Sequence, residues 1–330
     1  MEKAIDTDRG RFTVRTYTPE DEAGVLALWR AAFEKEMDPQ LWRWKYLQGP
    51  FKNQIAVCTD APGNILVLYG GIPFRAAWGD QTVRMTQLMD IMSHPSCRGS
   101  GLFIRTAEAF FDFFAGAGKT VFYYGFPGAY HYTIGEKYLD YRMLNQGMGF
   151  MTAKTADLKA TVKPFQGVAE PIQRIDASLD DMWRRERGSY PLSVIRDGRF
   201  LHWRFFQHPF NRYELWGFRP FLRRQLKAYA VLSIKGPKAR LVDVFAPNSE
   251  PIVTGFLSRM AAHYISRDIE EMEVWLPKAH FLEPACIAAG FLPAKEPLGI
   301  IPTGRSFDPR LDYDWASENM YYTMADGDLM

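Results

Sequence analysis

The residues of this 330-residue chain best suited to chemistry lie between Thr86 and Phe103, TQLMDIMSHPSCRGSGLF. An apolar run, Leu88 to Met92, is interrupted by one carboxylate, Asp90, and closed by His94-Pro95, since a proline cannot donate to a sheet ladder. Arg98-Gly99-Ser100-Gly101 follows, and then Leu102, Ala107, Phe110, Phe111 and Phe114 recur at helical spacing. The order is buried strand, glycine turn, amphipathic helix. Such a turn leaves several backbone N–H groups unpaired at the start of the helix, pointing one way. With the helix dipole they make a seat for a phosphate, and glycine lets the anion reach the backbone. There is no G-x-x-x-x-G-K-[ST] and no G-x-G-x-x-G, so neither the P-loop nor the dinucleotide fingerprint applies. Asp90 is the other candidate. A carboxylate in an apolar strand is costly to bury unless it is paired or protonated, and desolvation moves it toward the working range of a general base. A purely structural hydrogen-bonding role is the competing reading.

The elements that must position these groups follow from the surrounding pattern. Arg11 to Tyr17 alternates as a strand, and Thr18-Pro19-Glu20-Asp21 opens a helix with a cap, a first-position proline and acids in the first turn. Asp38-Pro39 opens a second helix in the same way. Gln54 to Thr59 and Ile65 to Phe74 read as strands, and Gly79-Asp80 turns the chain into the central strand. After the glycine-led helix come a short buried strand, Thr120 to Tyr124, a helix over about 129–138, and a closing strand region within 141–153. Lys154 to Ile175, with Pro164, Gly167 and Pro171, reads as a connector with one short strand.

Composition excludes several classes. Apolar residues make up 47% of the chain and aromatics 15%, enough for a sizeable core, and the net charge of +2 argues against a bulk nucleic-acid binder. Basic runs such as Arg184-Arg185 and Arg219 to Arg224 read as solvated faces. The three cysteines, Cys58, Cys97 and Cys286, form no C-x-x-C, which points to a reduced, cytoplasmic protein. No signal-peptide core and no membrane span are expected. The histidines show no H-x-x-x-H or H-E-x-x-H spacing, so no metal site is expected.

Arg98-x-x-Gly101, directly after a strand that ends in His-Pro, resembles the pyrophosphate loop of the GNAT superfamily of acyl-CoA-dependent N-acyltransferases. That family carries Q/R-x-x-G-x-G/A between its fourth strand and third helix; here Phe103 replaces the last small residue. The order of strand, two helices and three-strand meander also fits. The resemblance implies that acetyl-CoA is the co-substrate, held by Ile91, Met92, Ser93, Arg98, Gly99, Ser100, Gly101, Leu102 and Phe103, with Phe126 beside the pantetheine arm. It implies a backbone N–H near Ile91 to Ser93 as the group that polarises the thioester carbonyl. A tyrosine should protonate the leaving thiolate. Ile134 to Tyr141 stands where the family has F-Y-E-K-L-G-F, but Gly135 occupies the tyrosine's place; Tyr132 is taken as the substitute, with Tyr130 and Tyr138 nearby. The aromatic cluster from Phe122 to Tyr132 reads as core with one pocket wall.

The chain also repeats itself. Trp44-Lys45-Tyr46-Leu47-Gln48-Gly49-Pro50-Phe51 recurs as Trp203-Arg204-Phe205-Phe206-Gln207-His208-Pro209-Phe210, and Leu88 to Met92 recurs as Leu241-Val242-Asp243-Val244-Phe245. Glu283 to Phe291, EPACIAAGF, ends in the family's Gly-Phe. Long-period self-similarity of this kind implies tandem units. The expectation is an α/β (α+β) protein of two GNAT-like lobes, each a mixed, mostly antiparallel sheet flanked by helices: residues 1–154 with the CoA site, a linker over 155–175, and a degenerate lobe over 176–330. Where the first lobe has its glycine loop, the second has Asn248-Ser249-Glu250-Pro251, with a charge that repels phosphate and a residue that lacks an amide donor. The expected activity is acyl transfer, in all expectation acetyl transfer, to the primary amine of a small molecule, without nucleic acid or membrane as partner. A Fem-like aminoacyl-tRNA-dependent transferase and a non-catalytic CoA-binding regulator are the alternatives.

Overall fold

The computed structural model describes residues 1–7, 10–145, 147–160, 167–220 and 225–327. The chain divides into two compact units: Met1–Arg75, Val83–Arg142 and Thr303–Tyr313 in the first, and Ala76–Thr82, Met143–Pro302 and Asp314–Met330 in the second. Both are mixed α/β, with mostly antiparallel sheets flanked by helices.

In the first unit the strands lie in the order Glu2–Thr7, Gly10–Thr16, Gln54–Thr59, Ile65–Trp78, Gln81–Leu88, Phe122–Gly125 and Thr303–Ser306. One neighbouring pair is parallel: Met85 faces Phe122, Thr86 faces Tyr123 and Gln87 faces Tyr124. Helix Leu102–Phe114 makes the crossover between these two strands. Its apolar stripe, Leu102, Ala107, Phe110 and Phe111, packs on Val14, Cys58, Val67, Tyr69 and Tyr123, with Phe110 5.1 Å from Tyr69 between ring centres. Each phenylalanine buried in this way contributes about 1.5–3 kcal/mol of transfer free energy. Helix Glu22–Phe33 follows a short turn in which the Asp21 carboxylate accepts from the Thr18 amide and pairs with Arg15. Helix Pro39–Tyr46 is capped by Asp38, whose side chain accepts from the Gln40 amide.

The second unit repeats the plan. Its strands run in the order Val168–Pro171, Glu214–Arg219, Ala228–Lys235, Lys238–Phe245, Glu271–Pro277, Met148–Lys154 and Leu292–Ala294. Again one pair is parallel, Lys238–Phe245 with Glu271–Pro277, and a helix, Glu250–Ile265, crosses between its strands. The repeated tryptophan motif follows matched caps: Asp38 and Asp197 each begin a helix six residues before Trp44 and Trp203.

Three expectations change. The run Leu88 to Met92 is not one strand: pairing stops at Leu88, the chain bends at Asp90, and Met92–Ser93 pairs anew with Leu68 and Val67. The closing strand expected for the first lobe lies in the second sheet, where Met148–Lys154 pairs along its whole length with Glu271–Pro277; in the first sheet Thr303–Ser306 pairs with Phe122–Gly125. The units are therefore not divided at residue 154, because an alternating pattern marks a strand without naming its partner. The expected connector carries helix Thr155–Ala160 and the edge strand Val168–Pro171; residues 161–166, and 221–224 of the second basic run, lie outside the described residues.

Candidate active site

The glycine loop forms at the N-terminus of the crossover helix, as the pattern requires. Gly99 has φ +75° and Gly101, the N-cap, φ +77°, the left-handed region in which a side chain is strained. A Cβ placed on either glycine would meet no atom within 4 Å, so the ground in front of the loop is open. The Ser100 amide turns back to Cys97 O at 3.2 Å, and the Ser100 hydroxyl donates to the same oxygen at 2.5 Å. The amides of Gly99, Gly101, Phe103 and Ile104 have no acceptor among the described residues, and the first helical turn carries no acid. This is a cluster of donors at the positive end of a helix dipole, with no carboxylate of that turn competing.

The side chains of the loop do other work. The Arg98 guanidinium donates to Ala32 O at 3.2 Å, at the end of helix Glu22–Phe33, and the Arg98 amide donates to Pro95 O at 3.3 Å. Leu102 is fully buried in the core, and the Phe103 ring lies 5.8 Å from Tyr69. Phe126 is buried edge-on against Tyr124.

The last parallel pair is Gln87 with Tyr124. Asp90 stands at the bend, with φ +53°. Its Oδ1 and Oδ2 accept from Lys45 Nζ at 3.2 and 3.0 Å, and Oδ2 also accepts from the Tyr46 hydroxyl at 3.0 Å. The Lys45 and Asp90 side chains are 9% and 4% exposed, so this is a buried ion pair. Lys45 and Tyr46 were not singled out from the sequence as site residues; the signal was the tryptophan motif, which keeps a base at this place. Tyr46 also lines a cavity of 660 Å³ with Tyr17, Leu47, Phe51, Lys52 and Asn53.

Tyr132 lies on helix Ala129–Leu139, half-buried, and donates to Glu136 Oε1 at 2.6 Å; Tyr130 and Tyr138 are exposed. Gly135 has a steric cause: a Cβ there would run into the Tyr141 ring. Tyr141 is buried, its hydroxyl shares a hydrogen bond with Tyr69, and burial pushes its phenol up. Asp140, with φ +54°, ends the helix in the left-handed turn that the family's Gly-Phe ending supplies with glycine. Phe122, Tyr123 and Tyr124 are buried in the core.

With this geometry in place, the acetyltransferase (GNAT) domain family matches residues 13–138. Residues 13–138 carry a GNAT acetyltransferase domain. A probable N-acyltransferase from Enterococcus faecalis V583 is similar in fold, with TM-score 0.68 and 15% identity over 90% of this chain and 73% of that one. A GCN5-related N-acetyltransferase from Anabaena variabilis gives 0.64 and 12% over 90% and 73%. A tandem GNAT protein from the clavulanic acid biosynthesis pathway gives 0.55 and 11%, covering 90% of this chain and 99% of that one. Comparison with curated proteins finds no match. In the GNAT domain the glycine loop begins the helix that follows strand Gln81–Leu88, the first of the two parallel strands.

The second unit differs at the corresponding places. Asp243 is fully buried and accepts from Arg196 Nε at 3.1 Å, Tyr229 Oη at 2.8 Å and Thr323 Oγ1 at 2.8 Å. Val244 O accepts from the Tyr321 hydroxyl, and Ala246 O from the Tyr190 hydroxyl at 2.6 Å. These are the counterparts of Ile91 and Ser93, and buried tyrosines hold them. Glu250 stands in the first turn of helix Glu250–Ile265.

Proposed function

We propose that this chain is an acyl-CoA-dependent N-acetyltransferase acting on the primary amine of a small molecule, with its active site in the first unit and a second, GNAT-like unit that has lost the phosphate seat. The observation that carries this reading is the loop Arg98 to Gly101, where the amides of Gly99 and Gly101 have no acceptor among the described residues and a Cβ on either glycine would meet no atom within 4 Å. The residues present fit the group: the amides of Gly99, Gly101, Phe103 and Ile104 would hold a pyrophosphate, and the first helical turn has no acid to repel it. Acetyl-CoA supplies an activated acyl group as its thioester.

Three tasks fall to the chain. A backbone amide in Ile91 to Ser93 polarises the acyl carbonyl by preorganised donation. Tyr132 is the tyrosine assigned to protonating the thiolate; it is half-buried where its helix neighbours Tyr130 and Tyr138 are exposed. The amine approaches through the cavity beside Tyr46 and attacks as the neutral base. A cytoplasmic location belongs to the same reading. The three cysteines are free and buried, which suits a reducing compartment, and among the described residues no helix is long and apolar enough to cross a membrane.

The test is a thermal shift with CoA and acetyl-CoA, followed by thiol release from acetyl-CoA against a panel of amines. A ligand-induced rise in Tm with amine-dependent thiol release is the expected result. Binding without release from any amine would leave a CoA-binding protein and end the enzymatic reading.

A further inference from the structure

The bend at Asp90 is in contact with a neighbouring helix. A non-glycine residue held at positive φ persists where its surroundings over-determine it. Met89 N still donates to Gly70 O at 3.2 Å, and Met92–Ser93 is paired again, so the left-handed turn is confined to the link between two anchored stretches. What grips that link is the last turn of helix Pro39–Tyr46, through Lys45 on both carboxylate oxygens and Tyr46 on one. The second unit is a natural comparison. Asp243 stands where Asp90 does, but within strand Lys238–Phe245, opposite Val231, and it is not among the described residues with positive φ. Arg204, in the place of Lys45, donates instead to the carbonyl oxygens of Ala325 and Gly327. Asp243 is paired instead with Arg196, from outside the tryptophan motif, and the strand there does not bend. The bend occurs in the unit with the open glycine loop, where the cation on the aspartate comes from the tryptophan-motif helix.

We propose that Lys45 is a positioning residue for acyl transfer: through Asp90 it holds the backbone bend that aims the amides of Ile91 to Ser93 at the acyl carbonyl. This rests on the acyl-CoA reading of the same site. Glycine at position 90 would permit the bend but also many other conformations. An aspartate locked by a buried ammonium permits few, and fixed donors need no reorganisation at the moment of reaction. In this role the carboxylate of Asp90 serves the backbone and takes no proton from the amine.

Three variants test the proposal: Lys45→Met, Asp90→Gly and the double variant. The readouts are hydrogen exchange of the segment 88–93 in the free protein, the acetyl-CoA thermal shift, and thiol release with the best amine of the panel. Lys45→Met is expected to exchange faster across 88–93 and to keep the acetyl-CoA shift. Its kcat should fall roughly 10²-fold with little change in KM, the cost of a small misplacement of catalytic groups. Adding Asp90→Gly to Lys45→Met should restore much of the lost kcat, because glycine takes φ near +53° without an ammonium to hold it. Normal exchange and normal kcat per folded molecule in Lys45→Met would overturn the proposal. So would a double variant as slow as Lys45→Met, which would make the carboxylate itself the required group. If Lys45→Met does not fold, Lys45→Arg, which keeps the charge and moves the donors, is read by the same criteria. Failure of the acyl-CoA reading looks different: the wild-type protein would show neither a thermal shift nor thiol release, while the exchange comparison would still report on the bend.

Discussion

Arg196 and Asp243 form an ion pair from which solvent is fully excluded, with Nε 3.1 Å from Oδ1, at the place in the second unit that corresponds to the bend in the first. Arg196 also pairs with Asp326, whose carboxyl is pushed up by burial against the pull of the guanidinium. Removing the cation would leave two buried carboxylates without their counter-charge. Arg196→Met is therefore expected to destabilise the protein by about 3–5 kcal/mol, the usual cost of breaking a buried pair from one side. Urea unfolding measures it, and a loss under 1 kcal/mol would show that the network contributes little.

A single CoA per chain is the expected outcome of the contrast between the two loops. Calorimetry should give one site, and Gly101→Glu should abolish both the heat and the thermal shift by placing a charged side chain in the seat. The isolated segment 176–330 is not a fair test, since it lacks strand Met148–Lys154 from within its own sheet. The substitution in the full chain is. Binding that survives in folded Gly101→Glu would locate CoA elsewhere.

Tyr132→Phe should leave CoA affinity unchanged and lower turnover by about 10²-fold, the smaller end of what general acid catalysis supplies. The hydroxyl is tied to Glu136 on the helix surface, so its loss should hardly alter stability. An unaltered kcat would remove Tyr132 from the mechanism.

His280 carries a pH dependence. Burial, with the charge of Arg196 behind it, pushes its imidazole down to about 3 from 6.5. Between those values the unfolded chain binds a proton that the folded chain refuses, so stability is full above pH 6.5 and falls as the pH drops toward 3. His280→Phe removes that titration and fits the aromatic surroundings of Tyr190, Phe281 and Tyr321. Unfolding midpoints at pH 7 and pH 5 should therefore differ less in the variant than in the wild type. Equal differences would mean that another group governs the acid limb.

The sequence by itself determined the local parts of this protein. The capped starts of the helices at Asp38 and Asp197, the strand Gln54–Thr59 and the glycine loop before Leu102 each depend on residues within a few positions of one another, where backbone preference and side-chain spacing decide. The tandem plan was legible for a related reason: a repeated motif is local information given twice. Partnership over distance was decided by the tertiary structure. Met148–Lys154 has the alternation of any half-buried strand, and only packing placed it against Glu271–Pro277. Asp90 in an apolar run read as a strand residue, and its ion pair with Lys45, 45 residues away, came only with the fold. Gly135 looked like a missing tyrosine until the Tyr141 ring was seen to fill the space that a Cβ needs. In each case the deciding energy is a contact between segments far apart in the chain, and short-range pattern carries no record of it.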